Sequence, residues 1–310
     1  MYQNTLKIVM CGCHESGWYI IKKLLEEGLK IHQFISLTEE QGKKYQVSGY
    51  KSFSDLAEKY DIPIYFPETY SMKNQSDQEV FISNKFDLLI QGGWQRLFPQ
   101  EILNAITIGG IGFHGSQNFL PKGRGRSPLN WSIIKGHKRF INQAFLMKAG
   151  ADNGDIIDYS MFEINDFDTI ATLYYKMSLT VHRLLSNIII QAEKDDLVYY
   201  PQQGIPTYYN KRTPEDGEIR WDEWDFFQIH NFIRALTKPY PGAFTYIDNK
   251  RVNIWDAQIF DTIITYPESK YGEIVDVFEG NLIVNCLGGL LMIKNFNADF
   301  IVKNKDVFES

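Results

Sequence analysis

Two side chains able to handle protons, His114 and Asp152, occupy positions from which a fold can bring them together. His114 follows the apolar, glycine-rich run 108–113. That run reads as a buried strand delivering the imidazole to its carboxyl end, where open α/β sheets gather ligands. Asp152 lies in the turn Gly150-Ala151-Asp152-Asn153-Gly154-Asp155, just past the apolar segment 144–147, where a rigid scaffold exposes polar groups. An imidazole and a carboxylate on neighbouring strand ends can pass a proton between nucleophile and leaving group, or steady charge developing on an oxygen. Between them runs Leu120-Pro121-Lys122-Gly123-Arg124-Gly125-Arg126-Ser127-Pro128. Its glycines let backbone approach a ligand closely, and its two guanidinium groups can clamp anions or stack on planar rings. A histidine at a strand end or an aspartate in a turn is ordinary by itself; this loop, fixed directly after the strand, is not.

The surrounding elements alternate. Residues 7–10 and 32–36 read as strands around a helix over 18–27, 53–60 as a helix feeding a strand over 62–65, 86–90 as a further strand, and 99–105 as the start of a helix. Ser127, with Pro128 at the first helical position, predicts a capped helix carrying Leu129, Trp131, Ile133 and Ile134. Residues 168–196 show helical spacing, with Leu173, Met177, Thr180, Leu184 and Ile188 on one face, which reads His182 as a packing residue. The fold class this predicts is α/β, with a doubly wound, mostly parallel sheet. A helix over 223–236 and short strands over 252–254, 271–278, 282–284 and 290–293 predict a smaller C-terminal β barrel. The expected domains are therefore 1–200, a linker over 201–213, and 214–310. The turn 11–17 lacks a phosphate loop's Gly-Lys-Ser/Thr and the dinucleotide spacing, yet at a strand-to-helix step Glu15, Ser16 or their amides can meet a substrate.

Composition narrows the function classes. A net charge of −6, with basic residues scattered apart from the 122–126 loop, argues against a large nucleic-acid footprint. No run has the length of a membrane span, and the N-terminus lacks the order of a signal peptide, so the expectation is a cytoplasmic protein without a membrane partner. The three cysteines are Cys11, Cys13 and Cys286; no second Cys or His cluster completes a zinc site, so no metal is expected and the thiols read as core residues.

The motifs together resemble the N10-formyltetrahydrofolate-dependent transferases, above all the sugar formyltransferases. The resemblance rests on His114-Gly115-Ser116, the Leu-Pro-x-x-Arg-Gly-Arg-x-Pro loop, Asn130-Trp131 and Asp152. It continues through Arg212-Thr213-Pro214-Glu215-Asp216, Ile233-Arg234-Ala235 and Tyr240-Pro241-Gly242-Ala243-Phe244, which are similar to the linker and C-terminal domain of UDP-4-amino-4-deoxy-L-arabinose formyltransferases. It implies a Rossmann-like catalytic domain and an OB-like C-terminal barrel, with His114 and Asp152 catalytic. Folate would lie along Gly93, Trp94, Leu97, Arg124, Gly125 and Pro128. A UDP- or dTDP-linked 4-amino or 3-amino deoxy sugar would meet His14, Glu15, Gln117 and Thr213. A homodimer is common among such proteins. One departure stands out: where the family places a catalytic Asn two residues before the histidine, this chain has Gly112. Either a nearby amide, Gln117, Asn118 or Gln91, takes over that donor, or His114 and Asp152 act without it, or activity has been lost; the first two are the expectation, with Asn118 counted among the catalytic residues. The resemblance also leaves open an initiator-tRNA formyltransferase, a formyltetrahydrofolate hydrolase and a non-catalytic binding protein.

Overall fold

The computed structural model describes residues 1–310. In chain order the elements are β1 (Ile8–Cys11), α1 (Glu15–Glu26), β2 (Gln33–Ile35), α2 (Glu39–Lys44), α3 (Ser54–Tyr60), β3 (Ile64–Tyr65), α4 (Gln75–Asn84), β4 (Leu88–Gln91), α5 (Gln100–Asn104), β5 (Gly109–Ser116), β6 (Arg124–Gly125), α6 (Pro128–Ile134), β7 (Arg139–Leu146), β8 (Ile156–Glu163), α7 (Ile170–Ala192), β9 (Tyr208–Tyr209), α8 (Phe226–Leu236), β10 (Ala243–Ile247), β11 (Lys250–Asp261), β12 (Ile274–Phe278), β13 (Asn281–Cys286) and β14 (Gly289–Asn297). They fall into two compact units. Residues 1–125, 140–162 and 174–208 form the first; 126–139, 163–173 and 209–310 form the second.

The first unit is built on a seven-stranded sheet in the order β3-β2-β1-β4-β5-β7-β8. The pleat of β1 explains its all-apolar sequence, because successive side chains point to opposite faces and both faces are covered. Ile8 and Met10 pack with Ile21, Leu24, Leu184 and Ile188 from α1 and α7. Val9 and Cys11 pack on the other side with Phe81, Ile102 and Leu103 from α4 and α5. Strands β3, β2, β1, β4 and β5 run parallel, and β7 adds antiparallel to β5.

That change of direction corrects the expected position of His114. Pairing with β4 stops at Ile90 opposite Ile111, which is where a reading of parallel strands ends β5. Antiparallel β7 continues the ladder as far as Ser116 opposite Ile141. His114 is therefore inside the strand, directly opposite Gln143, and not at its tip.

The second unit carries α6, α8 and a separate antiparallel sheet in the order β10-β11-β14-β13-β12. Asp225 and Gln228 cap the start of α8 reciprocally, and Ile229, Phe232 and Ile233 bury its apolar face against Trp221, Ile254 and Ile293. The last residues bridge the outer strands: the Glu309 amide donates to the Tyr246 carbonyl of β10 (2.9 Å), and the Ile274 amide of β12 to the Asp306 carbonyl (2.9 Å). Ser127, expected to cap α6 with its hydroxyl, makes no such bond. Its φ of 55° places it in the left-handed region, not the extended conformation from which a capping hydroxyl reaches the helix amides. All three cysteines are free and buried, no helix is long and apolar enough to cross a membrane, and no group of three or more His, Cys, Asp or Glu is placed to hold a metal ion.

Candidate active site

Residues directly opposite in an antiparallel pair share a face, and so do residues two apart. His114, Gly112 and Ser116 of β5 thus lie on one face with Gln143, Phe145 and Ile141 of β7. The opposite face carries Ile111, Phe113, Ala144 and Leu146, packed in the core beside α1 and α7. The loop after β5 folds back over the first face, and three side chains there hold its backbone. Gln143 Oε1 accepts from the Leu120 amide (2.9 Å), Ser116 Oγ reaches the carbonyls of Asn118 (2.7 Å) and Lys122 (3.1 Å), and His114 Nε2 lies 2.7 Å from the Gly123 carbonyl. From outside, residue Thr207 binds the same loop: its hydroxyl accepts from the Gly123 amide (2.9 Å) and its carbonyl from the Arg124 amide (2.9 Å).

Under this loop the expected pair is formed. His114 Nδ1 lies 3.3 Å from Asp152 Oδ2, and Gly125 N donates to the same oxygen at 3.4 Å. The His114 side chain is 7% exposed and that of Asp152 20%, so the carboxylate is the member of the pair that faces solvent. Asp152 holds φ 52°, a left-handed conformation that Asp adopts more readily than most residues. Gln202 fixes it: Nε2 donates to the carbonyls of Asp152 (2.8 Å) and Gly154 (2.7 Å), and Oε1 accepts from Arg124 Nη2 (2.6 Å). The buried Arg124 Nε and the buried Gln143 Nε2 have no partner. Gln143 and Gln202 escaped the sequence reading. The available signal for the first was a pair of amides, Asn142-Gln143, inside the otherwise apolar run 140–146; Gln202 lay in the stretch read as a linker.

Gly112 has a structural counterpart. A Cβ on it would stand 2.8 Å from the Phe145 ring and 3.0 Å from Met147 Cγ, so its directly paired neighbour fills the space of a side chain. Gly112→Asn is therefore expected to lower stability by about 1–3 kcal/mol through overpacking, without raising turnover. Denaturant unfolding and a rate assay check this, and a gain in turnover at unchanged stability would show that Phe145 gives way freely.

The other expected site residues are placed as follows. Gly93 has φ +83°, and a Cβ there would come within 2.6 Å of His14 Cβ, so only glycine fits this crossing. Leu97 is 61% exposed. Trp94 was expected beside the folate, but its side chain is 2% exposed and packs edge-on to Tyr70 with ring centres 4.7 Å apart, so any contact with a ligand belongs to its backbone. His14 is the N-cap of α1, its Nδ1 accepting from the Ser16 amide (3.1 Å), and burial lowers its pKa, which keeps that nitrogen free of a proton. The Glu15 amide is bonded to the Gly49 carbonyl (3.0 Å) and the Ser16 amide to His14, so the amides expected to meet a substrate are already taken within the protein. Gln117 is half-buried and Asn118 exposed; Asn118 bonds through its backbone to Ser116, and no hydrogen bond joins its side chain to His114 or Asp152. The Gln91 amide donates to the Trp94 carbonyl (2.7 Å). Pro128 opens α6 and Thr213 precedes a short 3-10 turn, both in the second unit; the Thr213 amide and hydroxyl are taken up by Asp216 (2.6 and 3.3 Å).

The chain matches the formyl transferase family over residues 9–189 and the formyl transferase C-terminal domain over 211–300. Among solved structures it is similar to an N-formyltransferase from Helicobacter canadensis in complex with folinic acid and dTDP-3-aminofucose, with a TM-score of 0.69 and 18% identity over 94% of this chain and 99% of that one. It is likewise similar to WlaRD, a sugar 3N-formyltransferase crystallised with dTDP and 5-N-formyltetrahydrofolate, with a TM-score of 0.64 and 18% identity over 96% and 99%. HypX from Aquifex aeolicus in complex with tetrahydrofolic acid aligns with a TM-score of 0.66 and 17% identity; 95% of this chain is covered but only 44% of HypX, so this chain spans under half the length of that relative. With one family match running through more than half of its length and a second through the C-terminal part, the chain belongs to the formyl transferase family.

Proposed function

We propose that this protein transfers the formyl group of N10-formyltetrahydrofolate to the amine of a nucleotide-linked amino deoxy sugar. The observation that carries this reading is the His114–Asp152 pair at 3.3 Å, held beneath a backbone-anchored loop with unpaired donors beside it. A folate supplies a formyl carbon bonded to N10; transfer forms a carbon–nitrogen bond to the sugar amine, breaks the bond to N10, and moves one proton from the amine to N10. Asp152, the more exposed member of the pair, is placed to accept that proton. His114 acts behind it. Its two nitrogens face the Gly123 carbonyl and Asp152, so it ties the loop to the carboxylate and orients the oxygen that takes the proton. Gln202 holds both the Asp152 turn and Arg124, which makes it a positioning residue.

The acceptor class is supported by the relatives, which were solved with dTDP or dTDP-3-aminofucose, and by the net charge of −6, which offers little to a tRNA. Under this reading the bridging tail 306–309 closes the second sheet into an OB-like barrel. The test is incubation with N10-formyltetrahydrofolate and a panel of UDP- and dTDP-linked 4-amino and 3-amino deoxy sugars, following folate release and product mass together. A formylated sugar nucleotide is the expected product. Formate released without an amine would indicate a hydrolase, and salt-sensitive formylation of initiator tRNA would replace the acceptor.

A further inference from the structure

Charge that develops on the formyl oxygen needs a hydrogen-bond donor, and His114 has none to spare. A neutral imidazole carries one N–H, and here both ring nitrogens already face acceptors, Gly123 O at 2.7 Å and Asp152 Oδ2 at 3.3 Å. The Gly125 amide is directed to Asp152, and one N–H of the Gln91 amide to Trp94 O. Beside His114, in register with it and on the same face, stands Gln143, whose side chain is completely buried. Its amide orientation is fixed by chemistry: the Leu120 N–H can only donate, so the atom it meets at 2.9 Å is Oε1. The other end, Nε2, is a buried donor with no acceptor. Such a group is costly when left unpaired, and nearly every buried donor in a folded protein finds a partner.

We propose that Gln143 donates from Nε2 to the formyl oxygen during transfer, making it the oxyanion donor of this site. The inference rests on the formyl-transfer reading above. It assigns to β7 a role that the sequence comparison looked for in Gln117, Asn118 or Gln91. The residue is prepared for the role: the strand fixes its backbone, the Leu120 bond fixes its rotamer, and burial strengthens whatever bond Nε2 makes.

The informative variant is Gln143→Glu, which keeps an oxygen for the Leu120 amide and, once ionised, replaces the donor with an acceptor; burial favours the protonated form, whose O–H still donates, so the variant is read across about pH 6–9, where its loss should deepen as the carboxyl ionises. Two stable probes separate the formyl contact from folate binding at large: 10-formyl-5,8-dideazafolate and 5,8-dideazafolate, which lacks the formyl group. The full-length wild-type protein is expected to bind the formyl analogue about tenfold more tightly than its parent, the value of one good hydrogen bond. Gln143→Glu should lose that preference, bind 5,8-dideazafolate within about threefold of wild type, and turn over roughly a hundredfold to a thousandfold more slowly. A variant that keeps both the preference and the turnover overturns the proposal. So does one that loses affinity for both analogues equally, because that pattern belongs to a loop anchor alone. Wild-type protein that binds neither analogue overturns the formyl-transfer reading together with this one. Wild-type protein that shows the preference, lost in Gln143→Glu, yet formylates no sugar amine leaves Gln143 as the formyl-oxygen donor and displaces only the acceptor class.

Discussion

Asp152→Asn is expected to leave a folded protein whose formyl transfer falls at least about a hundredfold, the lower range for losing a positioned general base. Asparagine suits the position for two reasons. It tolerates the left-handed φ of 52° as readily as aspartate does, so the turn keeps its shape. It also retains an oxygen for the Gly125 amide and for His114, which stand 3.4 and 3.3 Å from Oδ2. What it cannot do is accept the amine's proton. The change should therefore appear in turnover and not in thermal midpoint or sugar-nucleotide affinity. His114→Ala should bring a comparable loss in turnover, together with weakened folate binding, because the Gly123 carbonyl loses its partner and the loop one of its anchors. Near-normal turnover in Asp152→Asn would remove the carboxylate from the proton's path.

Gly154→Ala should do the most damage to structure and site together. A Cβ there would come within 1.6 Å of the Leu146 carbonyl oxygen, and backbone cannot rotate away as a side chain can. The same turn is closed by the Leu146 amide donating to Asp155 O at 2.9 Å, and Gly154 O takes one of the two bonds from Gln202. Relief requires the turn to swing outward, carrying Asp152 with it. Overpacking of this kind costs about 1–3 kcal/mol and occasionally more. A displacement of about 1 Å at a reacting group costs about a hundredfold in rate, so turnover should fall even at temperatures where the variant remains folded. Circular dichroism melting beside a rate assay reads both effects. A variant with wild-type melting would mean that β7 and β8 shift without penalty.

What the sequence made legible is what depends on near neighbours in the chain. The apolar runs at 86–90 and 108–113 lie in β4 and β5, and the helical spacing of Leu173, Thr180, Leu184 and Ile188 is the buried face of α7, with Thr180 accepting from Asn142. The pairing of His114 with Asp152 was legible because each follows its own apolar run, 108–113 and 144–147, on neighbouring strands, although His114 proves to lie within β5 and not beyond it. The rest depended on partners far away in sequence. The position of His114 within β5 is decided by β7, and Trp94 is drawn into the core by Tyr70 and Phe98 although glycines precede it. Gln202 looks like linker composition until its bonds to Asp152, Gly154 and Arg124 are seen. Gln143 was hidden by the opposite difficulty: within a run of apolar residues the amide pair Asn142-Gln143 is hard to tell from filler until the partners are known.

The loop over the His114 face is gripped through its main chain: Gln143 holds an amide, while Ser116 and His114 hold carbonyls. None of these grips reads the identity of the residue it holds. The exposed side chains of Asn118 and Lys122 are therefore free to drift without loosening the scaffold beneath them. Natural or laboratory variation at these positions should retune which ligand is admitted while the shape of the reacting centre stays put, so a library confined to them is the economical place to look for new acceptors.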